Sequence, residues 1–362
     1  MVEKTQLNTG IIGAGFIATR GHIPGYQRLP GVQVLAICDV DEARARSVAE
    51  EFHIPHVFTN YHDLLAMDEI DIVSVCPPNR FHAEMSIAAL EAGKHVLCDK
   101  PMAMNAAEAR QMVAAAERSG NFLTLGLHNR YHPEVQVLKR IVDGGTLGEI
   151  YYAKASLLRR TGIPGYGSWF TNKDLAGAGA LFDIGVHILD LALYIIGHRL
   201  PVSVSGATFA KMGTRQRGLG NWGIEIHREG QARFDVDDLA TAFMRFDDGA
   251  VLIVDTSWAG YARSEERLQF WGTEGGAEIS SLWADEGAPL RLQLDLNGLP
   301  TEARPAVPRA SVGSYFAAIE EFVNCVREGR QPPITPQQGL TVTQILDAIL
   351  ESASTGREVR LA

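Results

Sequence analysis

The chain of 362 residues is 46% apolar and 21% charged, the balance of a globular protein, and it is too long for one ordinary core, so two domains are expected. Its formal net charge of −10 argues against nucleic acid or an anionic membrane as the main partner, because both reward a basic face. A polyanionic substrate is disfavoured on the same ground.

The N-terminus, MVEKTQLNTGII, carries no apolar leader core and runs almost directly into a strand, so no secretory signal is expected. Short β-branched runs follow at 8–12, 32–38, 56–58, 71–76, 94–98 and 121–127. Amphipathic stretches such as DEARARSVAEEF and NRFHAEMSIAALEAG lie between them. This alternation, with continuous apolar strands, predicts a doubly wound parallel sheet covered by helices on both faces. Such sheets bind ligands at the carboxyl ends of their strands.

At the end of the first run the sequence reads GAGFIA, a G-x-G-x-x-A pattern with Gly13, Gly15 and Ala18, and Phe16 and Ile17 between. Gly13 permits a tight turn, Gly15 lets a pyrophosphate approach the backbone, and Ala18 allows close helix–sheet packing. Asp39 ends the second strand, where a carboxylate binds both ribose hydroxyls and repels a 2′-phosphate, so the expected cofactor is NAD. Asp39 or Asp41 could instead cap the helix beginning in DVDEAR, and Arg44 either flanks the adenine or is a solvated helix residue. Further on, Lys100 stands between Asp99 and Pro101 just past a buried strand, at the ligand-binding edge of the sheet. Cys38, Cys76, Cys98 and Cys325 lack CxxC or metal-ligand spacing and read as reduced thiols, in keeping with a cytoplasmic enzyme.

Beyond about residue 128 the strands lengthen, alternate in polarity and are joined by hairpin signals such as DDGA at 247–250. The expectation is a division into a Rossmann domain over 1–127 and an α+β domain over 128–362, the latter with a large, mostly antiparallel open sheet. Helices are expected near 181–197, 311–328 and 337–354. The most apolar stretch, ALFDIGVHILDLALYIIG, is interrupted by Asp183, His187 and Asp190 and makes a poor membrane span. Asp183 and His187 are four apart and share a helix face. That pairing suits proton transfer, with the acid fixing the imidazole. It also admits a dipole-favourable acid beside a core histidine; no cluster of metal ligands accompanies it, and no metal is expected. The loop RRTGIPGYGSWFTNKD offers Tyr166 and Trp169, either as an aromatic platform for a polyol or as ordinary packing.

Several ordered motifs together resemble the Gfo/Idh/MocA oxidoreductases: GAGFIA (13–18), PNRFH (78–82), AGKHVLCDKP (92–101), GAGALFDIGVH (177–187) and DDLATAFMRFDDGA (237–250). The resemblance implies catalytic roles for Lys100, Asp183 and His187. It also places Pro78, Asn79 and His82 beside the cofactor and Arg130 near the nicotinamide and substrate. Asp99 stands where the family has glutamate, which bears on how the lysine loop and cofactor are anchored. The activity implied is NAD-dependent oxidation of a secondary hydroxyl on a sugar, anhydrosugar or cyclitol, with inositol dehydrogenase as one family example. Homo-oligomers formed through the open face of the second sheet are implied too. Other relatives are glycosidases that keep NAD tightly bound, or dinucleotide-binding regulators; retention of Lys100, Asp183 and His187 speaks against the last.

Overall fold

The computed structural model describes residues 6–220, 232–281 and 290–361. The chain forms two compact units: Met1–His128 with Val312–Thr343, and Asn129–Ser311 with Gln344–Ala362. In the first, β1 (Leu7–Ile12), α1 (Ile23–Gln27), β2 (Val32–Cys38), α2 (Glu42–Phe52), β3 (His56–Phe58), α3 (Tyr61–Leu65) and β4 (Ile72–Val75) follow one another. Then come α4 (His82–Glu91), β5 (His95–Cys98), α5 (Ala106–Ser119) and β6 (Leu123–Leu125). The six strands form one parallel sheet in the order β3-β2-β1-β4-β5-β6. Every residue of β4 and of β6 is buried, as strands covered on both faces require.

Register decides what the sheet presents at its edge. Ile12 pairs with Cys38 and with Val75, Val75 with Cys98, and Cys98 with Leu125. The five strands β2, β1, β4, β5 and β6 therefore end level, and Gly13, Asp39, Cys76, Asp99 and Gly126 all leave the sheet along one rim.

The second unit begins with α6 (Pro133–Asp143), β7 (Ile150–Leu158), α7 (Lys173–Ala176) and α8 (Val186–Ile196). The strands β8 (Ser203–Phe209), β9 (Leu239–Arg245), β10 (Val251–Ser257), β11 (Glu265–Gly272), β12 (Gly275–Ile279), β13 (Leu290–Leu296) and β14 (Leu299–Ala303) follow. The chain ends with α9 (Ser314–Glu328), α10 (Pro336–Thr355) and β15 (Val359–Arg360). Nine strands make a mixed sheet, β14-β13-β12-β11-β7-β10-β9-β8-β15, antiparallel except for the β7–β10 pair. The Asp247–Ala250 turn closes the β9–β10 hairpin, with Gly249 at φ +87°. Strands β9 and β10 bury alternate residues, so one face of the sheet lies on the core. The segment Lys173–Ile196 is apolar enough to cross a membrane by composition, yet 83% of its window is buried inside the protein. Leu189, Leu191 and Leu193 are fully buried; at about 1.5–3 kcal/mol for each such side chain, α8 is a core helix.

Two assignments read from sequence shift here. The helix expected at 311–328 was placed in the second domain, but α9 belongs to the first unit. Its Ile319, Phe322 and Val323 join the core of β1, β2 and α1. Close approach is possible because Gly21 and Gly25 face Tyr315 and Ile319, where an added Cβ would stand 2.4 Å from either side chain. The Tyr315 hydroxyl lies 2.6 Å from His22 Nε2, whose Nδ1 is 2.9 Å from Ser74 Oγ. Strand β8 and the short strands β14 and β15 have no counterpart among the runs read from the sequence. β14 carries Pro300, which suits only an edge.

Candidate active site

The glycine turn is built by the rim of the first sheet. Gly13 adopts φ +97°, and a Cβ there would stand 2.7 Å from the Cys76 carbonyl carbon, so no other residue fits. Its amide donates to Cys38 O at 2.7 Å. A Cβ at Gly15, by contrast, would meet nothing within 4 Å. Packing does not demand that glycine; the open space beyond it is what a pyrophosphate would use. Phe16 is 41% exposed, Ile17 packs on the core, and Ala18 is fully buried at the start of a π-helical turn, Ala18–His22.

The choice between Asp39 and Asp41 is resolved by their hydrogen bonds. Asp41 caps α2, accepting from the Arg44 amide at 3.1 Å. Asp39 turns back to the glycine turn instead, accepting from the Ala14 amide at 2.8 Å and from the Asp41 amide at 2.9 Å. The Arg44 guanidinium stays largely exposed, 3.1 Å from Asp41 and 3.7 Å from Asp39.

Beyond β4, Pro78 precedes a short 3-10 turn over Asn79–Phe81, in which Asn79 is buried. His82 is also buried, its Nδ1 2.7 Å from Pro101 O and its Nε2 3.0 Å from Pro77 O. It thereby fastens the loop after β4 to the loop after β5. Burial holds its pKa below the usual value, against the pull of the two carbonyls, and the neutral ring can donate to just one of them. The Lys100–Pro101 peptide bond is cis and Lys100 is half-buried. Asp99 donates its amide to Val75 O, and its carboxylate lies against Gly126, where a Cβ would come within 2.5 Å of Oδ1. The shorter acid thus occupies a niche that Gly126 keeps open.

In the second unit the chain enters α8 through another π-helical turn, Leu181–Gly185, which carries Asp183. π-Turns are rare and recur at functional sites, and the even four-residue spacing of Asp183 and His187 gave no sign of this one. The turn is held from the sheet: Asp237 accepts from the Gly179 amide at 2.7 Å and the Leu181 amide at 2.9 Å. Burial raises the Asp237 pKa to about 6 in spite of these two donors. Trp258, fully buried, donates its indole N–H to Asp183 Oδ2 at 2.8 Å. Asp183 is 8% exposed and His187 half-buried.

Asp190 sits elsewhere on α8, 1% exposed and bound by Arg130 through Nε at 2.9 Å and Nη2 at 2.6 Å. A buried guanidinium needs such a counter-charge, and two of Arg130's nitrogens are committed to it. Tyr166 is 4% exposed and stacks on Phe234, with ring centroids 6.0 Å apart. Trp169 retains partial exposure and stacks on Phe170 at 3.8 Å. Of the two aromatics expected to meet a polyol, Tyr166 faces protein. Asp237 and Trp258 were missed as site residues; the available signal was a large aromatic with an N–H to satisfy, just past a core strand. All four cysteines are free and buried. Among the described residues, no group of three or more His, Cys, Asp or Glu is placed to hold a metal ion.

A level parallel rim with an open glycine turn, and a carboxylate bonded to that turn from the end of β2, fits a dinucleotide; this is an oxidoreductase with an NAD-binding Rossmann domain. Residues 7–127 match the family model described as "Oxidoreductase family, NAD-binding Rossmann fold", and residues 135–278 match the "GFO/IDH/MocA C-terminal domain". The chain belongs to the Gfo/Idh/MocA family. It is 35% identical to D-glucoside 3-dehydrogenase of Escherichia coli (strain K12), over 99% of each chain. It is 28% identical to levoglucosan dehydrogenase of Pseudarthrobacter phenanthrenivorans, over 96% of each. Among solved structures, GenD2 from gentamicin A biosynthesis, in complex with NAD, superposes with a TM-score of 0.80 at 25% identity, covering 100% of this chain and 98% of that one.

Proposed function

We propose that the enzyme reversibly oxidises a secondary hydroxyl of a sugar, anhydrosugar or cyclitol. The observation that carries this reading is a buried carboxylate, Asp183, fixed on a π-turn four residues before His187. Its setting is a chain similar along its whole length to a glucoside dehydrogenase. The Gly13–Ala18 turn and Asp39 hold the dinucleotide, with Pro78, Asn79, His82 and Asp99 shaping the adjoining rim. Bound nicotinamide supplies the hydride acceptor. His187 takes the hydroxyl proton as general base. Asp183 orients the imidazole and stabilises its charged form. The Lys100 ammonium donates to the reacting oxygen and offsets the negative charge that develops there. Trp169 offers a partly exposed ring face to a sugar.

In this reading the domain over 1–127 carries the cofactor and that over 128–362 the substrate, in a cytoplasmic homo-oligomer. The outward face of the second sheet, where Tyr152 packs on Trp271 with ring centroids 4.8 Å apart and Trp271 is 36% exposed, is the surface proposed for subunit contact. Gel filtration with light scattering tests it.

The enzyme is tested by offering glucosides, anhydrosugars and inositols with NAD to purified protein and following NADH by absorbance. Sustained NADH formation with at least one polyol is expected. Product release from a glycoside without net NADH would instead identify a redox-neutral hydrolase, and silence across the panel would remove the polyol class.

A further inference from the structure

We propose that Trp258 is a positioning residue for the reaction, its indole N–H locking the carboxylate of Asp183 in one rotation. The inference rests on the reading of Asp183 as partner of His187.

Trp258 stands immediately after β10 and is fully buried, as is almost all of Asp183. A buried carboxylate is costly to ionise unless donors reach it, and a buried indole N–H is costly unless an acceptor does. The 2.8 Å contact to Asp183 Oδ2 answers both needs and is charge-assisted. Neither side of the contact is free to drift. The Trp258 amide donates to Asp238 O at 2.9 Å. Asp238 is itself held by the Met212 and Gly213 amides, at 2.6 and 2.9 Å. The ring abuts Gly179, where a Cβ would come within 2.9 Å of Cζ3. The π-turn bearing Asp183 is fixed by the carboxylate of Asp237, the residue just before Asp238. One corner of the sheet therefore sets both the backbone beneath Asp183 and the rotation of its carboxylate.

A tryptophan that merely filled the core would be replaceable by another aromatic ring at the expense of stability alone. An indole that holds Asp183 has a further consequence, because a donor to the ionised form lowers the pKa of the acid it serves. Removing the N–H should make Asp183 take up a proton at higher pH and loosen its hold on the imidazole.

Two experiments decide. In Trp258→Phe, kcat should fall at least severalfold with KM little changed, and the acid limb of the kcat/KM profile should move up by about one pH unit. An acid limb that stays in place while only the melting temperature drops would reduce Trp258 to a packing residue. Independently of activity, protein labelled with 15N-tryptophan shows the indole resonances of five tryptophans, of which Trp258→Phe removes one and so assigns it. That resonance should titrate in wild type and lose in Asp183→Asn the inflection due to Asp183, while any step from Asp237, which holds the same turn, remains. A Trp258 resonance indifferent to both pH and Asp183→Asn would overturn the contact. Full turnover in Asp183→Asn, with the titration present in wild type, would instead sink the catalytic reading of Asp183 and with it the positioning role, while leaving the contact itself intact.

Discussion

At the scale of single residues, Gly15 and Asp39 test the cofactor site from opposite directions. Because a Cβ at Gly15 meets no protein atom within 4 Å, Gly15→Val should fold normally yet bind NADH at least tenfold more weakly in a fluorescence titration. Normal affinity would place the dinucleotide elsewhere. On the proposed reading Asp39→Ala removes the ribose acceptor and the repulsion of a 2′-phosphate, so the ratio of kcat/KM for NAD over NADP should narrow from a wild type that prefers NAD. The reacting end is probed by His187→Ala, expected to lower turnover by about 10²–10⁴-fold with NADH affinity nearly unchanged. Lys100→Met keeps the apolar stem without the ammonium and should slow hydride transfer by ~10²-fold or more in single-turnover stopped flow. An unchanged rate in either variant would strike that residue from the catalytic set.

At the scale of elements, one π-turn follows the glycine turn in the first unit and another carries Asp183 in the second. Both begin where a small residue lets the chain come close to its neighbour: Ala18 on the first sheet, and Gly179 and Ala180 on the second. Gly179 is the more exacting, since its Cβ would stand 1.9 Å from the Asp237 carbonyl oxygen. Backbone oxygen cannot swing aside as a side chain can, so Gly179→Ala must displace the turn that carries Asp183. A loss of about 1–3 kcal/mol of stability is expected for such overpacking, together with a fall in turnover at temperatures where the variant remains folded. Gly260, where a Cβ meets nothing, supplies the control: Gly260→Ala should change neither. Equal behaviour of the two variants in thermal melts would show that the approach at Gly179 is not tight.

For the whole molecule, buried titratable groups make stability depend on pH. Burial pushes His22 down to about 3 and His198 to about 4, whereas an unfolded histidine titrates near ~6.5. The unfolded chain therefore binds two protons that the native protein refuses. The stability these residues contribute is complete above about pH 6.5 and is lost as pH falls toward their folded values. Asp237 works in the other direction, because its raised pKa of about 6 means that the native acid protonates first. Wild-type stability should decline on acidification below neutrality, because burial also lowers His82, His95 and His132, and these histidines outnumber the raised acids Asp237 and Glu134. His198→Asn, suited to the left-handed backbone at that position, should flatten the decline by about one proton, or ~1.4 kcal/mol per pH unit. Urea unfolding across a pH series reads the slope, and an unaltered slope would mean that His198 is protonated in the folded state.

The sequence by itself determined the features that depend on local chemistry. Strand positions from Leu7 to Leu125 followed from β-branched runs between helical patterns. The cofactor turn followed from glycines at fixed offsets, and the β9–β10 hairpin from Asp-Gly. Asp183 and His187 stood out because polar residues are conspicuous in an apolar helix. Tertiary structure alone decided what depends on partners distant in the chain. Asp39 rather than Asp41 serves the glycine turn because parallel register brings Ala14 beside it. Arg130 is paired with Asp190, sixty residues on, because a buried charge must be met by another. Helix α9 joins the first core because Gly21 and Gly25 leave room for it. Asp183 owes its orientation to Trp258, seventy-five residues away, since a hydrogen bond is settled by where the fold delivers its donor and not by any pattern along the chain.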